Sequence, residues 1–106
     1  MLLRKWSEDG KSKLMSIGHN VPFDVGFITS HLLKADVWNT FVSYHSLDTI
    51  PIAQFLKLKG KLATRTPLKL GELAKALNVS VSDQSLHGAK YDTLLCVEVL
   101  KALIRS

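Results

Sequence analysis

Two aspartates and a histidine stand out in this 106-residue chain as groups able to do chemistry. Asp24 is followed three and four residues on by Phe27 and Ile28, the spacing that puts all three on one face of a helix, and that apolar face is expected to turn inward. Asp92 lines up in the same way with Leu95, Cys96 and Val99, away from the polar stripe Glu98, Lys101 and Arg105. Its carboxylate is expected to point to the interior or a cleft. An ionised carboxylate in such a place needs a cation or a strong hydrogen-bond partner, and a bound metal ion would supply the cation. The alternative is that each aspartate sits in the first turn of its helix and stabilises the positive end of the helix dipole. His87, five residues before Asp92, is either a loop histidine or a proton-transfer group. Taken singly, these residues leave both readings open.

The elements that must position them follow from turn signals and apolar runs. Leu14 to Ile17 reads as a short buried strand ending at Gly18. Pro22 then opens a helix running to about Lys34, with Asn20 available near its cap. A second short strand is expected around Phe41 to Tyr44. Asp48 reads as the N-cap of a helix over Thr49 to Leu58, with Pro51 tolerated in the first turn. Leu70 to Leu77 forms another helix, ended by Asn78, and the last helix covers roughly Ala89 to Ile104. The order strand-helix-strand-helix predicts an α/β fold with helices packed on a small, partly parallel sheet. Two strands leave hydrogen-bonding edges open, so further strands, a second chain or a homo-oligomer are expected to complete the sheet.

Composition sets the frame. Hydrophobic residues make up 46% of the chain and charged residues 22%, the balance of a folded globule, and the length suits one domain over residues 1–106. Cys96 is the only cysteine, which excludes an internal disulfide framework and a cysteine-rich zinc site and accords with a reducing, cytoplasmic setting. The opening MLLRKWSEDGKSK turns polar too soon for the apolar run of roughly 7 to 15 residues in a signal peptide. No apolar stretch is long enough to cross a bilayer, so no membrane partner is expected. The net charge of +5 is compatible with a polyanionic partner. The densest basic stretch, Lys57, Lys59, Lys61, Arg65 and Lys69, reads as a loop between two helices, either solvated or in contact with phosphates.

Taken together, the residues resemble a known family. In GHNVPFDVGFI, Gly18, His19 and Asn20 precede Phe23 and Asp24 after a strand, which resembles the second motif of the DnaQ-like (DEDDh) 3'–5' exonucleases. In HGAKYD, His87, Ala89 and Asp92 match that family's third motif, His-x-Ala-x-x-Asp. Between them, YHSLDTIPIAQFL and LKLGELAKALNV resemble the intervening segments, so the likeness runs from about Leu14 to the C-terminus. It implies an RNase H-like fold and hydrolysis of phosphodiester bonds at the 3' end of nucleic acid. The implied cofactors are two Mg²⁺ or Mn²⁺ ions about 4 Å apart. On this likeness Asp24 and Asp92 are metal ligands and His87 is the general base, a task suited to imidazole. His19, Asn20 and Phe23 shape the nucleotide site, Phe23 by stacking on a base or, as favoured here, by packing in the core, while Asp48 is a structural cap rather than a ligand.

The family's first motif, Asp-x-Glu, supplies ligands to both metals, and no Asp-x-Glu occurs in the sequence. Only a short segment precedes Leu14 where the family has three strands. The expectation is an RNase H-like domain truncated at the N-terminus, with weakly held metals and very slow catalysis by this chain alone. A shortened reading frame, a subunit completed by another chain and a degenerate domain all fit. Two other functions compete with it: a non-catalytic module that binds nucleic acid or protein, and a helix-turn-helix in LGELAKALNVSVSDQSLHGAK with its second helix beginning near Ser82. Against the latter, Asp83 would face phosphates early in that helix and Gly88 would interrupt its end.

Overall fold

The structure, a computed structural model, describes residues 1–5, 13–81 and 88–106. The chain divides into two compact units, Met1–Asp48 and Thr49–Ser106. The architecture is mixed α/β, with a sheet in the first unit and helices in both.

In the first unit three strands, β1 (Leu2–Lys5), β2 (Leu14–Gly18) and β3 (Val42–Asp48), form a mixed sheet in that order. β2 lies in the middle, antiparallel to β1 and parallel to β3. Its residues Met15, Ser16, Ile17 and Gly18 are all buried, the continuous burial of a strand covered on both faces rather than an alternating pattern. The parallel pair needs a crossover, and α1 (Val21–His31) and α2 (Ala35–Phe41) supply it. The parallel register runs from Leu14 opposite Val42 to Gly18 opposite Asp48, and β3 advances four residues, Val42 to Ser46, while β2 advances two. That irregularity lifts Tyr44 and His45 out, and both are exposed with their rings 4.1 Å apart.

Several elements differ from the sequence reading. The third strand comes from Leu2–Lys5, whose partners run from Ile17, opposite Leu2, to Leu14, opposite Lys5. α1 stops at His31 rather than Lys34, because the Ile28 carbonyl accepts the N–H groups of both Leu32 and Leu33 and closes the turn. α2 then begins at Ala35, with Trp38 as its only buried residue.

The second unit is helical: α3 (Thr49–Leu58), α4 (Leu70–Ala76) and α5 (Gly88–Arg105). Its core is built from the apolar side of each helix, with Ala53 and Leu56 from α3, Leu73 and Ala74 from α4, and Leu95, Val99 and Leu103 from α5. Spacings of three and four residues, in α4 from Leu70 to Leu73 and Ala74, account for the shared face. Gly60 ends α3 in the left-handed region at φ 76°, with Gly60 N–H bonded to the Lys57 carbonyl and Lys61 N–H to that of Leu56. Asn78 ends α4 in the same way at φ 57°, through Lys75 and Ala74. Both are Schellman closures, which favour Gly and tolerate Asn. Among the described residues no helix is long and apolar enough to cross a membrane.

Candidate functional site

The parallel register places the end of β3 level with the end of β2, and this alignment organises the start of α1. Gly18 pairs with Asp48, so the Asp48 side chain stands beside the chain as it leaves β2. There Asn20 bends into the left-handed region at φ 63°, ψ 54°, a conformation Asn tolerates better than most non-glycine residues. Asn20 holds the N-cap position but makes no side-chain cap bond. The acceptors come instead from Asp48: its Oδ1 receives the Asn20 backbone N–H at 2.9 Å and its Oδ2 that of Val21 at 2.8 Å. An anionic acceptor at a helix N-terminus is favoured by both hydrogen bonding and the helix dipole. Asp48 therefore braces α1 across the sheet, while standing immediately before α3, the helix whose start the sequence reading has it cap.

This brace fixes where the motif residues of α1 emerge. Pro22 sits in the first turn, as does Asp24, so for Asp24 the dipole reading remains physically sound. Asp24 is half-buried, and among the described residues no hydrogen bond or ion pair engages its carboxylate. It lines an open groove of about 540 Å³ together with Met1, Phe23, Phe27 and Ile28. The core position favoured for Phe23 is not taken up: its ring is 70% exposed, and Phe27, expected on an inward face, is 52% exposed. Only Val21 of α1 is buried, so this helix contributes one anchor and presents the rest of its aromatic surface to the groove. Phe27 stacks on His31, with ring centroids 4.7 Å apart and nearly parallel planes. His19 is half-buried and Asn20 exposed, both at the mouth of the same turn.

Asp92 belongs to the second unit. It is exposed on α5, not turned inward, because the buried side of the helix begins a turn further on, with Leu95, Cys96 and Val99. Because α5 begins at Gly88, Asp92 lies beyond the first turn. The dipole explanation therefore loses its force there, since that interaction fades within one turn. Among the described residues no partner engages its carboxylate. His87 falls at a position outside the described residues, as does the start of the second helix required by a helix-turn-helix near Ser82.

No protein-family model matches the chain, and no solved structure matches it.

The donor chemistry separates the three aspartates. Asp24 and Asp92 each present carboxylate oxygens free of protein partners among the described residues, the hard donors that Mg²⁺ and Mn²⁺ prefer. Asp48 has both oxygens committed to backbone N–H groups, which fits a structural part. Among the described residues no three His, Cys, Asp or Glu side chains form a group that could hold a metal ion. Phe27, Met1 and Ile28 line the groove without having been singled out as site residues from sequence. For Phe27 a signal existed, the i, i+4 spacing from Phe23 that puts two aromatic rings on one side of α1.

Proposed function

We propose that this chain is a 3'–5' exonuclease-type domain that binds the 3' end of a nucleic acid and, supplied with Mg²⁺ or Mn²⁺, hydrolyses its terminal phosphodiester bond slowly. The observation that carries the reading is the opening of α1: a left-handed Asn20 braced by Asp48, then an exposed Phe23 beside the unpartnered carboxylate of Asp24. An exposed aromatic ring next to a hard-cation donor suits a terminal nucleotide, with the base stacked on the ring and the phosphate held near the carboxylate.

Asp24 and Asp92 are the residues that would hold the divalent cations. When bound, these ions supply stabilisation of the charge that develops on the phosphate oxygens. His87 accepts the proton of the attacking water, and His19 and Asn20 contact the terminal nucleotide. Two carboxylates are few for two cations, so binding is weak and turnover low for this chain alone. A second chain or a second copy that extends the sheet at an outer strand, β1 or β3, fits the same reading. The fold proposed is RNase H-like. The test is Mn²⁺-dependent release of mononucleotides from a 3'-labelled strand, abolished by Asp92→Asn.

The exposed, largely apolar groove at Phe23 and Phe27, holding a single carboxylate, favours one other reading: a non-catalytic module that grips nucleic acid without cutting it. Binding of the same strand without any mononucleotide release selects it.

A further inference from the structure

The chain's net charge is concentrated in one segment. Residues 49–71 contain five basic residues, Lys57, Lys59, Lys61, Arg65 and Lys69, and no acidic one, while the rest of the chain holds nine basic and nine acidic residues that cancel. The fold turns this run into a surface. Leu62 and Leu68 pack against the core of the second unit, so the loop is anchored by its apolar residues, and Lys59, Lys61, Arg65 and Lys69 are left exposed. The loop is also closed on itself. The Lys57 ammonium donates to the Thr66 carbonyl at 2.7 Å, and Thr66 N–H bonds to the Ala63 carbonyl across a tight turn. The two salt bridges among the described residues, Glu72 with Lys75 and Glu98 with Lys101, leave these four cations unneutralised. Beside them, on the outer side of α3, Phe55 is 58% exposed, with the Lys59 ammonium 5.5 Å from its ring centroid.

We propose that residues 55–69 form a binding face for single-stranded nucleic acid, with Lys59, Lys61, Arg65 and Lys69 contacting phosphates and Phe55 stacking on a base. Fixed cations without counter-charges release condensed counterions when a polyanion binds, and an exposed ring beside them adds a sequence-tolerant contact that favours unpaired bases over a duplex. The inference deepens the function proposed above and rests on it for the identity of the polyanion. It is independent of the hydrolytic chemistry assigned to Asp24, His87 and Asp92.

The test is fluorescence anisotropy of a labelled dT20 strand with the full chain in EDTA, over a range of salt concentrations. EDTA removes divalent cations, so failure here is distinguishable from failure of the nuclease reading, which is assayed with Mn²⁺. The variant carrying Lys59→Gln, Lys61→Gln, Arg65→Gln and Lys69→Gln is expected to bind at least tenfold more weakly. Its plot of log affinity against log salt should be shallower by about 0.7 for each phosphate contact removed. Phe55→Ala is expected to weaken binding roughly tenfold without changing that slope. A control variant, Lys13→Gln, Lys34→Gln, Lys90→Gln and Arg105→Gln, makes the same change in net charge at other exposed positions and should bind like the wild type. Equal weakening by the two variants, or no binding of dT20 by the wild type, overturns the proposal. So does preferential binding, through the same four residues, to vesicles containing phosphatidylserine.

Discussion

The Oδ2 atom of Asp48 accepts the backbone N–H of Val21 at 2.8 Å, joining the end of β3 to the beginning of α1 across 27 residues of sequence. Val21 is itself buried, so losing that acceptor would leave a donor with little access to water. Asp48→Ala is therefore expected to lower unfolding stability by about 2 kcal/mol, from a lost cap and an unsatisfied N–H. Asp48→Asn keeps one oxygen acceptor and should lose about half as much. Urea denaturation followed by circular dichroism checks both.

Gly18 stands opposite Asp48 in the sheet, and a Cβ placed there would meet Cγ2 of Val21 at 3.1 Å. Val21 is buried and β-branched, so it has little rotamer freedom with which to move aside. Gly18→Ala is expected to destabilise by roughly 1 kcal/mol through overpacking. The measurement is the shift in denaturation midpoint at unchanged slope.

Phe23 and Leu73 should respond in opposite ways. Phe23 is 70% exposed, so Phe23→Ala is expected to leave stability within about 0.5 kcal/mol of the wild type while weakening binding of a single strand about tenfold. Leu73 is fully buried in the core of the second unit, and Leu73→Ala should lower stability by about 3 kcal/mol. Thermal melts and strand-binding titrations on the two variants test this pair.

The sequence was most legible where local signals agree. Asp48, Pro51 and Gly60 bracket α3, and the predicted span Thr49 to Leu58 is the span observed. Gly18 marks the end of β2, and Asn78 ends α4 through its left-handed backbone. β1 was missed because four residues carry no periodicity of their own and their pairing with β2 is set by tertiary contact. α2 was missed because its seven residues bury only Trp38, too few to form a stripe. At the candidate site, Asp24 lies in the first turn of α1, as one reading of the sequence has it, but the apolar spacing that suggested an inward face for Asp24, Phe27 and Ile28 described a groove wall instead. The partner of Asp48 was invisible to local reading, since cap geometry across a sheet depends on the register of two strands and not on neighbours in sequence.

The central proposal is that Asp24 and Asp92 are both needed to hold divalent cations, and Mn²⁺ binding followed by electron paramagnetic resonance tests it most directly. The account predicts weak binding by the wild-type chain that is lost in Asp24→Asn and equally lost in Asp92→Asn, with the fold of each variant intact by circular dichroism. Mn²⁺ binding that survives both substitutions unchanged would contradict it.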